Sequence, residues 1–394
     1  MSTDSVVVAG AYEHPTREAP DKSTMQLHAE VAAGALEDAG IPKDAIDGYC
    51  TAGVPEYEFA LQPLIMADYL GLDVSWANST DVGGSSYLSH LGQATSAIQD
   101  DKCEVCLVTM AGRPRSQAQD TGTGVRELRT MQHSFERIYG MTPVSAYAMA
   151  ARRHMHEYGT TKRQLAEIRV AAASHAQYNE NAMYRDPVTV DDVVESPTVA
   201  DPLSLLDCCV ISDGGGAIIV ASESAAEEYG LSDDLVHVVG HGEAVGHHEA
   251  GRIDVTSTAA EKSGPAAFEE AGLEPDDVDY AGIYDSFTIT VLETLEDLGF
   301  CEKGQGGEFV EGGTLCAPDG ELPFNTDGGS LCSNHPGNRG SMPKIIEAVR
   351  QLRGDAADPV QVDADVALVH GTGGRLASRH SSVTVLLASP EVAG

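Results

Sequence analysis

The chain has 394 residues and a formal net charge of −37, from 61 acidic and 24 basic residues. No basic patch can outweigh that field, so nucleic acid is not an expected partner. The sequence has no run of about 18 apolar residues and no cationic leader before an apolar segment, so we expect no membrane span, no signal peptide and a cytoplasmic location. The acidic residues are dispersed along the whole chain, which is typical of a protein from a high-salt cytoplasm, and we expect a halophilic source.

The first half of the chain alternates apolar runs with helically periodic segments. Strands are predicted at 5–14, 45–52 and 104–110, with a short strand that breaks at 81–84. Helices are predicted at 24–39, at 61–70 and from about residue 85. From Gly112 to about Arg163 the alternation stops, and this insertion ends in a helix at 144–158. A helical segment at 165–184, a turn-rich segment at 186–209 and a buried strand at 212–222 complete the half.

The same pattern restarts after an acidic segment, 223–234, which we interpret as a linker. Strands are predicted at 235–240, 278–284, 364–370 and 382–388, and helices at 256–271, 289–298 and 342–352. Residues 35–47 match residues 267–279 without a gap, and 101–112 correspond to 363–374. Two correspondences in the same order indicate an internal duplication. We therefore predict two similar α/β halves, 1–222 and 235–394, with an insertion at about 112–200 in the first.

The eight cysteines do not predict a metal site. Cys103 and Cys106 form a CxxC, but they lie within an apolar strand pattern, where positions three apart face opposite sides. No second CxxC completes a tetrahedral set, so we interpret these cysteines as buried and structural.

Three segments carry reactive groups at predicted strand ends, where α/β sheets bind ligands. In 81–86, Ser85 and Ser86 lie where a strand gives way to a helix, and a serine there is either a nucleophile or an ordinary N-cap. His335 lies in the Gly- and Pro-rich segment 325–340, which we expect to be an irregular loop ahead of a helix. His370 ends an apolar strand, and three of the next four residues are glycines whose amides could face an oxyanion.

These segments resemble the thiolase superfamily. Residues 325–337, NTDGGSLCSNHPG, are similar to its Gly-His-Pro loop, which carries the catalytic histidine, although Asn334 replaces the glycine. Residues 284–301 resemble the loop that lines the oxyanion site, and residues 201–222 are similar to the superfamily's Ser-Asp-Gly signature. The segment from Tyr158 to Asp201 resembles the sterol-carrier-type and archaeal branch. The resemblance implies an α/β thiolase fold, in which two duplicated βαβαβαββ halves form α-β-α-β-α layers.

The family's nucleophilic cysteine is missing. An ungapped match places Asp81 at its position and Gly84 on the following family glycine. The late cysteine of the family is replaced by His370, as it is in the sterol-carrier-type branch. Three functions therefore remain open.

In the first interpretation the chain is a β-ketothiolase, an acetyl-CoA C-acyltransferase with a Ser-His-His site. It then resembles the haloarchaeal enzymes that supply polyhydroxyalkanoate precursors. Ser85 would be acylated, with Ser86 or Asp81 as alternates, and His335 and His370 would act as bases. The predicted oxyanion and positioning residues are Asn325, Asp285, Gly373 and Gly374.

In the second interpretation the chain is a thiolase-like retro-aldolase, a lyase that cleaves a carbon–carbon bond of an acyl-CoA without an acyl-enzyme. Tyr284 or Tyr87 would then be the acid/base. In the third, the chain is a non-catalytic scaffold subunit that binds acyl-CoA.

The resemblance also implies partners. Coenzyme A thioesters are expected as substrates, with no further cofactor. The insertion carries arginines where thiolases bind coenzyme A, or these form ordinary surface ion pairs; they are Arg113, Arg115, Arg126 and Arg129. A small partner that combines an OB-fold with a zinc ribbon, and a homodimer, are expected from the same branch.

Overall fold

A computed structural model describes residues 4–53, 61–117, 134, 137–231, 235–247, 252–337 and 340–393. Its strands are β1 (Val6–Glu13), β2 (Gly48–Cys50), β3 (Trp76–Asn78), β4 (Val105–Gly112), β5 (Thr198–Ala200), β6 (Leu203–Ser204), β7 (Gly214–Ser222), β8 (Val236–Gly246), β9 (Tyr280–Ile283), β10 (Val366–Gly374) and β11 (His380–Ala388).

The longer helices are α1 (Thr24–Ala39), α2 (Gln62–Leu70), α3 (Ser86–Gln99), α4 (Pro143–Tyr158), α5 (Lys162–Ala176), α8 (Ala260–Ala271), α9 (Thr288–Asp297) and α12 (Ser341–Arg353). Short helices are α6 (Val190–Glu195), α7 (Glu223–Glu228), α10 (Gly306–Phe309), α11 (Gly329–Cys332) and α13 (Pro390–Ala393). No helix among the described residues is both long enough and apolar enough to cross a lipid bilayer.

Nine strands form one mixed sheet in the order β3-β2-β4-β7-β1-β8-β11-β10-β9. The first five come from the first half of the chain and the last four from the second. The halves join where β1 pairs antiparallel with β8, through Val7 opposite His237 and Val8 opposite Val236. Strands β5 and β6 form a separate small ribbon in the insertion.

The helices lie in layers on and between the two halves of this sheet. Helix α1 packs on β1, β4 and β7, and α8 packs on β8 and β11. Helices α3 and α12 contact each other and strands from both halves, so they form a middle layer. One apolar core accordingly includes Leu88 and Leu91 of α3, Ile345 of α12, and strand residues from both halves such as Val108 and Val383. The predicted thiolase-type layering is confirmed, while the proposed half boundaries stay a prediction.

Local capping explains where several helices begin and end. Ser23 accepts a hydrogen bond from the Gln26 N–H at the start of α1, and Gly40 ends that helix in the left-handed conformation. In the insertion, Thr142 and Thr161 form capping boxes at the starts of α4 and α5. These two helices pack on α9 and so hold the insertion against the second half.

Several elements differ in extent from the sequence prediction: α5 ends at Ala176 rather than near 184, and β8 continues to Gly246 rather than ending at 240. The acidic segment after Ser222 is not wholly a linker, because Ser222 caps α7 by accepting from the Ala225 N–H. The loop 325–340 is not wholly irregular either, since it contains α11. Strand β10 continues beyond its predicted end at His370, because residues up to Gly374 pair with β11. This extension decides where the side chain of His370 points.

Candidate active site

Tyr284 and His335 form a hydrogen-bonded pair at the centre of the molecule. The Tyr284 hydroxyl lies 2.6 Å from His335 Nε2. The two rings are stacked at 15° with their centroids 5.7 Å apart. Tyr284 is 5% exposed and His335 2%, so the pair is shielded from bulk water. A phenol held against an imidazole in this way can pass a proton in either direction.

Tyr284 reaches His335 because glycines leave room for its ring. The tyrosine follows β9, and its N–H donates to the His370 carbonyl at 2.9 Å. A Cβ on Gly84 would lie 2.3 Å from Tyr284 Cε1, and one on Gly340 would lie 2.1 Å from Cε2. The first half of the chain therefore contributes Gly84 to one side of the ring, and the second half contributes Gly340 to the other.

The strand–helix junction of the first half closes against β10. A Cβ on Gly373 would lie 1.7 Å from the Val82 carbonyl oxygen, and one on Gly83 would lie 2.9 Å from the Gly374 nitrogen. Only glycines permit this approach of two backbones. The junction at 81–86 therefore lies against β10 and, through Gly84, against the ring of Tyr284, which in turn contacts His335.

His335 is fixed by a chain of hydrogen bonds that begins on the first strand. Its N–H donates to Ser212 Oγ at 2.7 Å, and that hydroxyl donates to Asn334 Oδ1 at 2.7 Å. Asn334 Nδ2 donates in turn to Glu13 Oε1 at 2.6 Å. Burial raises the pKa of Glu13, but the charges of Arg17 and Arg350 lower it below its ordinary value, so Glu13 is an ionised acceptor. Asn334, which replaces the family glycine, thus holds the histidine segment.

The surroundings of His335 keep its imidazole neutral. The pKa of His335 is lowered to about 4, chiefly by burial and also by the nearby Lys344 ammonium, against the opposing effects of Asp285 and the Val210 carbonyl. Lys344 is fully buried, with its Nζ 3.4 Å from Asp285 Oδ1 and 3.7 Å from Asp327 Oδ1. At neutral pH the ring therefore carries one proton and has one nitrogen free to accept another.

The other nitrogen of the ring faces a thiol. Cys209 Sγ lies 3.7 Å from His335 Nδ1, and Cys209 is partly exposed. The sequence motif around residues 201–222 includes this cysteine, but nothing in its spacing separates it from its neighbour Cys208.

The hydrogen bonds described for the two serines predicted as nucleophiles go to residues other than His335 and His370. Ser85 is fully buried, and its Oγ lies 2.6 Å from Ser381 Oγ. Ser381 donates to the Val82 carbonyl, so the Ser85 hydroxyl is the donor in that contact. Ser86 Oγ donates to the Gly83 carbonyl and accepts from the Val82 N–H. Both hydroxyls serve the turn before α3.

The described contacts of Asp81 and Tyr87 lie with residues other than Tyr284 and His335. Asp81 is exposed, and its Oδ1 accepts from the Gly83 N–H. Tyr87 is fully buried in the middle layer, with its ring edge-on to His90 at 5.5 Å. Tyr284 and Tyr87 are the two tyrosines predicted as the acid/base of a lyase, and Tyr284 is the one that lies beside His335.

His370 is not brought to His335 or Ser85 by its described contacts. Its Nε2 lies 2.8 Å from Ser382 Oγ, which in turn contacts Ser263 of α8. A Cβ on the next residue, Gly371, would lie 3.0 Å from Ser85 Cα in the middle layer. Because side chains alternate along β10, His370 points to the opposite face, beneath α8. Burial lowers the pKa of His370 to about 3, and a base role for it stays a prediction.

Two of the predicted oxyanion residues have other partners. The Asn325 side chain bridges the backbone of Ile283, donating to its carbonyl and accepting from its N–H. The Asp285 carboxylate accepts from the N–H groups of Ser330 and Leu331 at the start of α11. Both side chains therefore shape the walls of the site. Gly373 and Gly374 remain candidates, since they line the junction.

The predicted coenzyme A contacts are only partly described. Arg115 forms a surface ion pair with Glu18 at 3.5 Å, and Arg113 is partly buried. Arg126 and Arg129 lie outside the described residues. Within the described residues, no group of three or more His, Cys, Asp or Glu side chains is arranged to hold a metal ion. Cys103 and Cys106 are buried in the middle core with Cys50.

Family models match most of the chain. The thiolase N-terminal domain matches residues 6–224, and the thiolase C-terminal domain-like model matches residues 242–386.

The chain belongs to the thiolase superfamily. An acetyl-CoA acetyltransferase of Methanothermobacter thermautotrophicus is 34% identical over 383 residues, which covers 94% of this chain and 96% of that protein. This archaeal relative agrees with the predicted sterol-carrier-type and archaeal branch.

Other thiolase-superfamily relatives are described as lyases. A 17-hydroxy-3-oxo-4-pregnene-20-carboxyl-CoA lyase of Mycobacterium tuberculosis is 32% identical over 374 residues, covering 89% of this chain and 92% of that one. A solved structure described as Ltp2-ChsH2(DUF35) aldolase superimposes with a TM-score of 0.84 at 29% identity and covers 98% of each chain. These relatives agree on the superfamily, but they are named for two different reactions, acetyl transfer and carbon–carbon bond cleavage.

Several residues of this site have no signal in the sequence. Ser212 and Glu13 support His335 from distant parts of the chain, and only the folded topology brings them together. Lys344 does have a signal, because it lies within the apolar pattern of α12 and a cation on a buried helix face needs buried carboxylates as partners.

Proposed function

We propose that this protein cleaves or forms a carbon–carbon bond of an acyl-CoA by aldol chemistry, with Tyr284 and His335 as the proton-transferring pair. The observation that carries this proposal is the 2.6 Å contact between the Tyr284 hydroxyl and His335 Nε2. Among the described residues, the hydroxyls of Ser85 and Ser86 form hydrogen bonds with other partners than a histidine, so a reaction that needs no acyl-serine fits the site best. The similarity to a lyase and to an aldolase supports the same reaction class.

The pair suits the cleavage of a 3-hydroxyacyl-CoA. Tyr284 takes the proton of the substrate's 3-hydroxyl while its own phenol proton passes to neutral His335. The bond between C2 and C3 then breaks, which leaves a ketone or aldehyde and the enolate of a shorter acyl-CoA. Return of the proton to C2 of the enolate completes the reaction, so no proton is consumed overall. A positioned acid/base of this kind contributes roughly 10²–10⁴-fold to the rate.

The buried charges favour this role. Because the pKa of His335 is lowered to about 4, its imidazole is neutral at pH 7 and can accept the phenol proton. The Lys344 ammonium adds positive charge near His335, which favours the neutral form of its imidazole. Gly84 and Gly340 hold the tyrosine ring so that the hydroxyl faces the histidine.

An acetyl-CoA C-acyltransferase is the second candidate. The 34% identity to an acetyl-CoA acetyltransferase over nearly the whole chain favours it. In that reaction Ser85 would have to exchange its contact with Ser381 for one with a base before it could be acylated. A polyhydroxyalkanoate role would belong to this candidate alone.

The two candidates are separated by products and adducts. The protein is incubated in high salt with a 3-hydroxyacyl-CoA and, separately, with acetyl-CoA. Release of a ketone or aldehyde together with a shortened acyl-CoA, unchanged in Ser85→Ala, is the expected result. An acetyl group mapped to Ser85, or condensation of two acetyl-CoA molecules that is lost in Ser85→Ala, would replace the lyase with the acyltransferase. Binding of coenzyme A without either reaction would favour a scaffold subunit.

The proposed enzyme also includes a small partner subunit. The aldolase structure that superimposes on this chain is a complex with ChsH2(DUF35), which supports a small companion subunit here. We propose that this chain forms a homodimer that binds such a subunit. Co-expression with a small companion protein of the predicted kind, followed by size-exclusion chromatography with light scattering, tests the homodimer and the binding of that subunit.

A further inference from the structure

The imidazole of His335 contacts an ionisable group on each of its two nitrogens. Nε2 faces the Tyr284 hydroxyl, and Nδ1 faces Cys209 Sγ at 3.7 Å. The proposed lyase reaction uses only the Nε2 side. On the Nδ1 side, Cys209 is a possible nucleophile, His335 is its base, and Tyr284 orients the base from the opposite nitrogen. This is the arrangement of an activated nucleophile.

The backbone around Cys209 is fixed between the two segments that form the site. The Cys209 N–H donates to the Ser286 carbonyl at 3.0 Å, and the Val210 N–H donates to the Ser330 carbonyl at 2.9 Å. These bonds tie the cysteine to the Tyr284 segment on one side and to the His335 segment on the other. Cys209 is partly exposed, whereas His335 is buried, so the cysteine lies on the more accessible side of the histidine.

The adjacent cysteine provides a contrast within the same segment. Cys208 Sγ donates to the Ser204 carbonyl at 3.4 Å, and its backbone forms an isolated bridge with Phe287. Burial, together with the neighbouring Asp207 carboxylate, raises the pKa of the Cys208 thiol to about 12. Cys208 and Cys209 are therefore both partly exposed, but their thiols have different partners. Among the described contacts, the Cys209 thiol faces an imidazole and the Cys208 thiol faces a backbone carbonyl.

We propose that Cys209 is a second nucleophile of this site and that it exchanges acyl groups with coenzyme A thioesters. The Cys209 thiol proton passes to His335 Nδ1, and the sulfur attacks the thioester carbonyl. The bond between that carbonyl and the coenzyme A sulfur breaks, and the departing thiolate takes the proton from His335. The products are S-acyl-Cys209 and free coenzyme A. One thioester replaces another, so the step needs no oxidant, reductant or energy source.

This reaction adds to the proposed lyase function and rests on it only for the substrate class, an acyl-CoA. It would also give the chain the acyl-enzyme that the missing junction cysteine provides elsewhere in the superfamily. A thiol is a far better nucleophile near neutral pH than the buried hydroxyl of Ser85, since a free cysteine is already a few per cent thiolate at pH 7. A neutral His335 ring carries a single proton, so it serves Cys209 and Tyr284 in turn.

The test is acetyl transfer to the folded protein. Wild type, Cys209→Ser, Cys209→Ala and the matched control Cys208→Ser are incubated with acetyl-CoA, quenched in acid and digested, and the acetylated peptides are identified by mass spectrometry. Exchange of isotopically labelled coenzyme A into acetyl-CoA is measured in parallel. We expect a hydroxylamine-sensitive acetyl group on Cys209, present in Cys208→Ser and absent in both Cys209 variants. Labelled exchange should fall at least tenfold in both Cys209 variants.

The outcome is independent of the lyase proposal because the two readouts differ. A ketone or aldehyde product with no acetyl group on Cys209 overturns the inference and leaves the lyase in place. Acetylated Cys209 without carbon–carbon cleavage supports the inference and removes the lyase. An acetyl group that persists in Cys209→Ala, or that maps to Ser85 or Cys208, also overturns it. Circular dichroism of each variant confirms that the fold is intact before the comparison is made.

Discussion

Replacing Tyr284 with phenylalanine removes one hydroxyl from the centre of the site and keeps the ring between Gly84 and Gly340. The substitution leaves His335 Nε2 without the partner that lies 2.6 Å away. Because His335 is only 2% exposed, water cannot readily replace that partner, and the unfolding free energy should fall by about 1–3 kcal/mol. No cavity term is added, since the removed hydroxyl faces the imidazole rather than an apolar wall.

The effect on the reaction should be larger than the effect on stability. Tyr284 is proposed to take the substrate's hydroxyl proton, so its loss should lower kcat for 3-hydroxyacyl-CoA cleavage by about 10²–10⁴-fold. KM should change little if the hydroxyl acts mainly in the transition state. The assay follows the shortened acyl-CoA by chromatography under saturating substrate, at a protein concentration and salt at which both proteins remain folded.

The chain offers a matched control in Tyr49→Phe. The Tyr49 hydroxyl is fully buried and lies 2.8 Å from Thr109 Oγ1, in the core on the outer side of the first half. The same chemical change there should cost a similar free energy of unfolding and leave kcat unchanged. Retention of activity in Tyr284→Phe within about threefold of wild type, or an equal loss in Tyr49→Phe, would refute the assigned role.

Three further changes test the surroundings of the pair. Gly84→Ala should lower kcat at least tenfold with little change in circular dichroism, because the new methyl would lie 2.3 Å from the Tyr284 ring; wild-type kinetics would contradict the packing. Lys344→Met should lower the unfolding free energy by about 3–5 kcal/mol, because two buried carboxylates lose their cation, and urea titration would show it. Stability should also fall as the pH drops from 6.5 towards 4, because burial lowers the pKa values of His335 and His370 to about 4 and about 3. Below pH 6.5 the unfolded chain binds protons that the folded chain excludes, which amounts to about 3 kcal/mol for His335 by pH 4, and a flat stability profile over that range would refute it.

Much of the fold could be predicted because its signals are local and repeated. The period of the apolar residues separates strands from helices, and the match of 35–47 with 267–279 indicates the duplication. The prediction that 223–234 is a linker is wrong in part, because its acidic composition hides a helix-capping signal. Ser222 followed by Glu223 is a usual helix start, and α7 begins there.

The site could be predicted only where one segment carries the whole signal. The sequence predicts a role for His335 from its glycine-rich segment and names Tyr284 as a possible acid/base. The contact between the two side chains depends on packing between separate elements, which no local pattern contains. The placement of His370 depends on β11, which extends β10 past the histidine and fixes the face on which the side chain lies. The partner of Ser85 is likewise Ser381, 296 residues away in the chain. No local pattern contains such information, because a strand's pairing partner is set by the complete fold.

The bond between Asn334 and Glu13 has a consequence for how the protein is made. It joins residues 321 positions apart, so the carboxylate on the first strand leaves the ribosome long before its amide partner exists. The first half can pair its own strands while the second half is still being synthesised. The buried acid, however, has no amide to hold until almost the entire chain has emerged. The support of His335 by Glu13 therefore cannot form until residue 334 has emerged, and a chain terminated before that point would be released without this site.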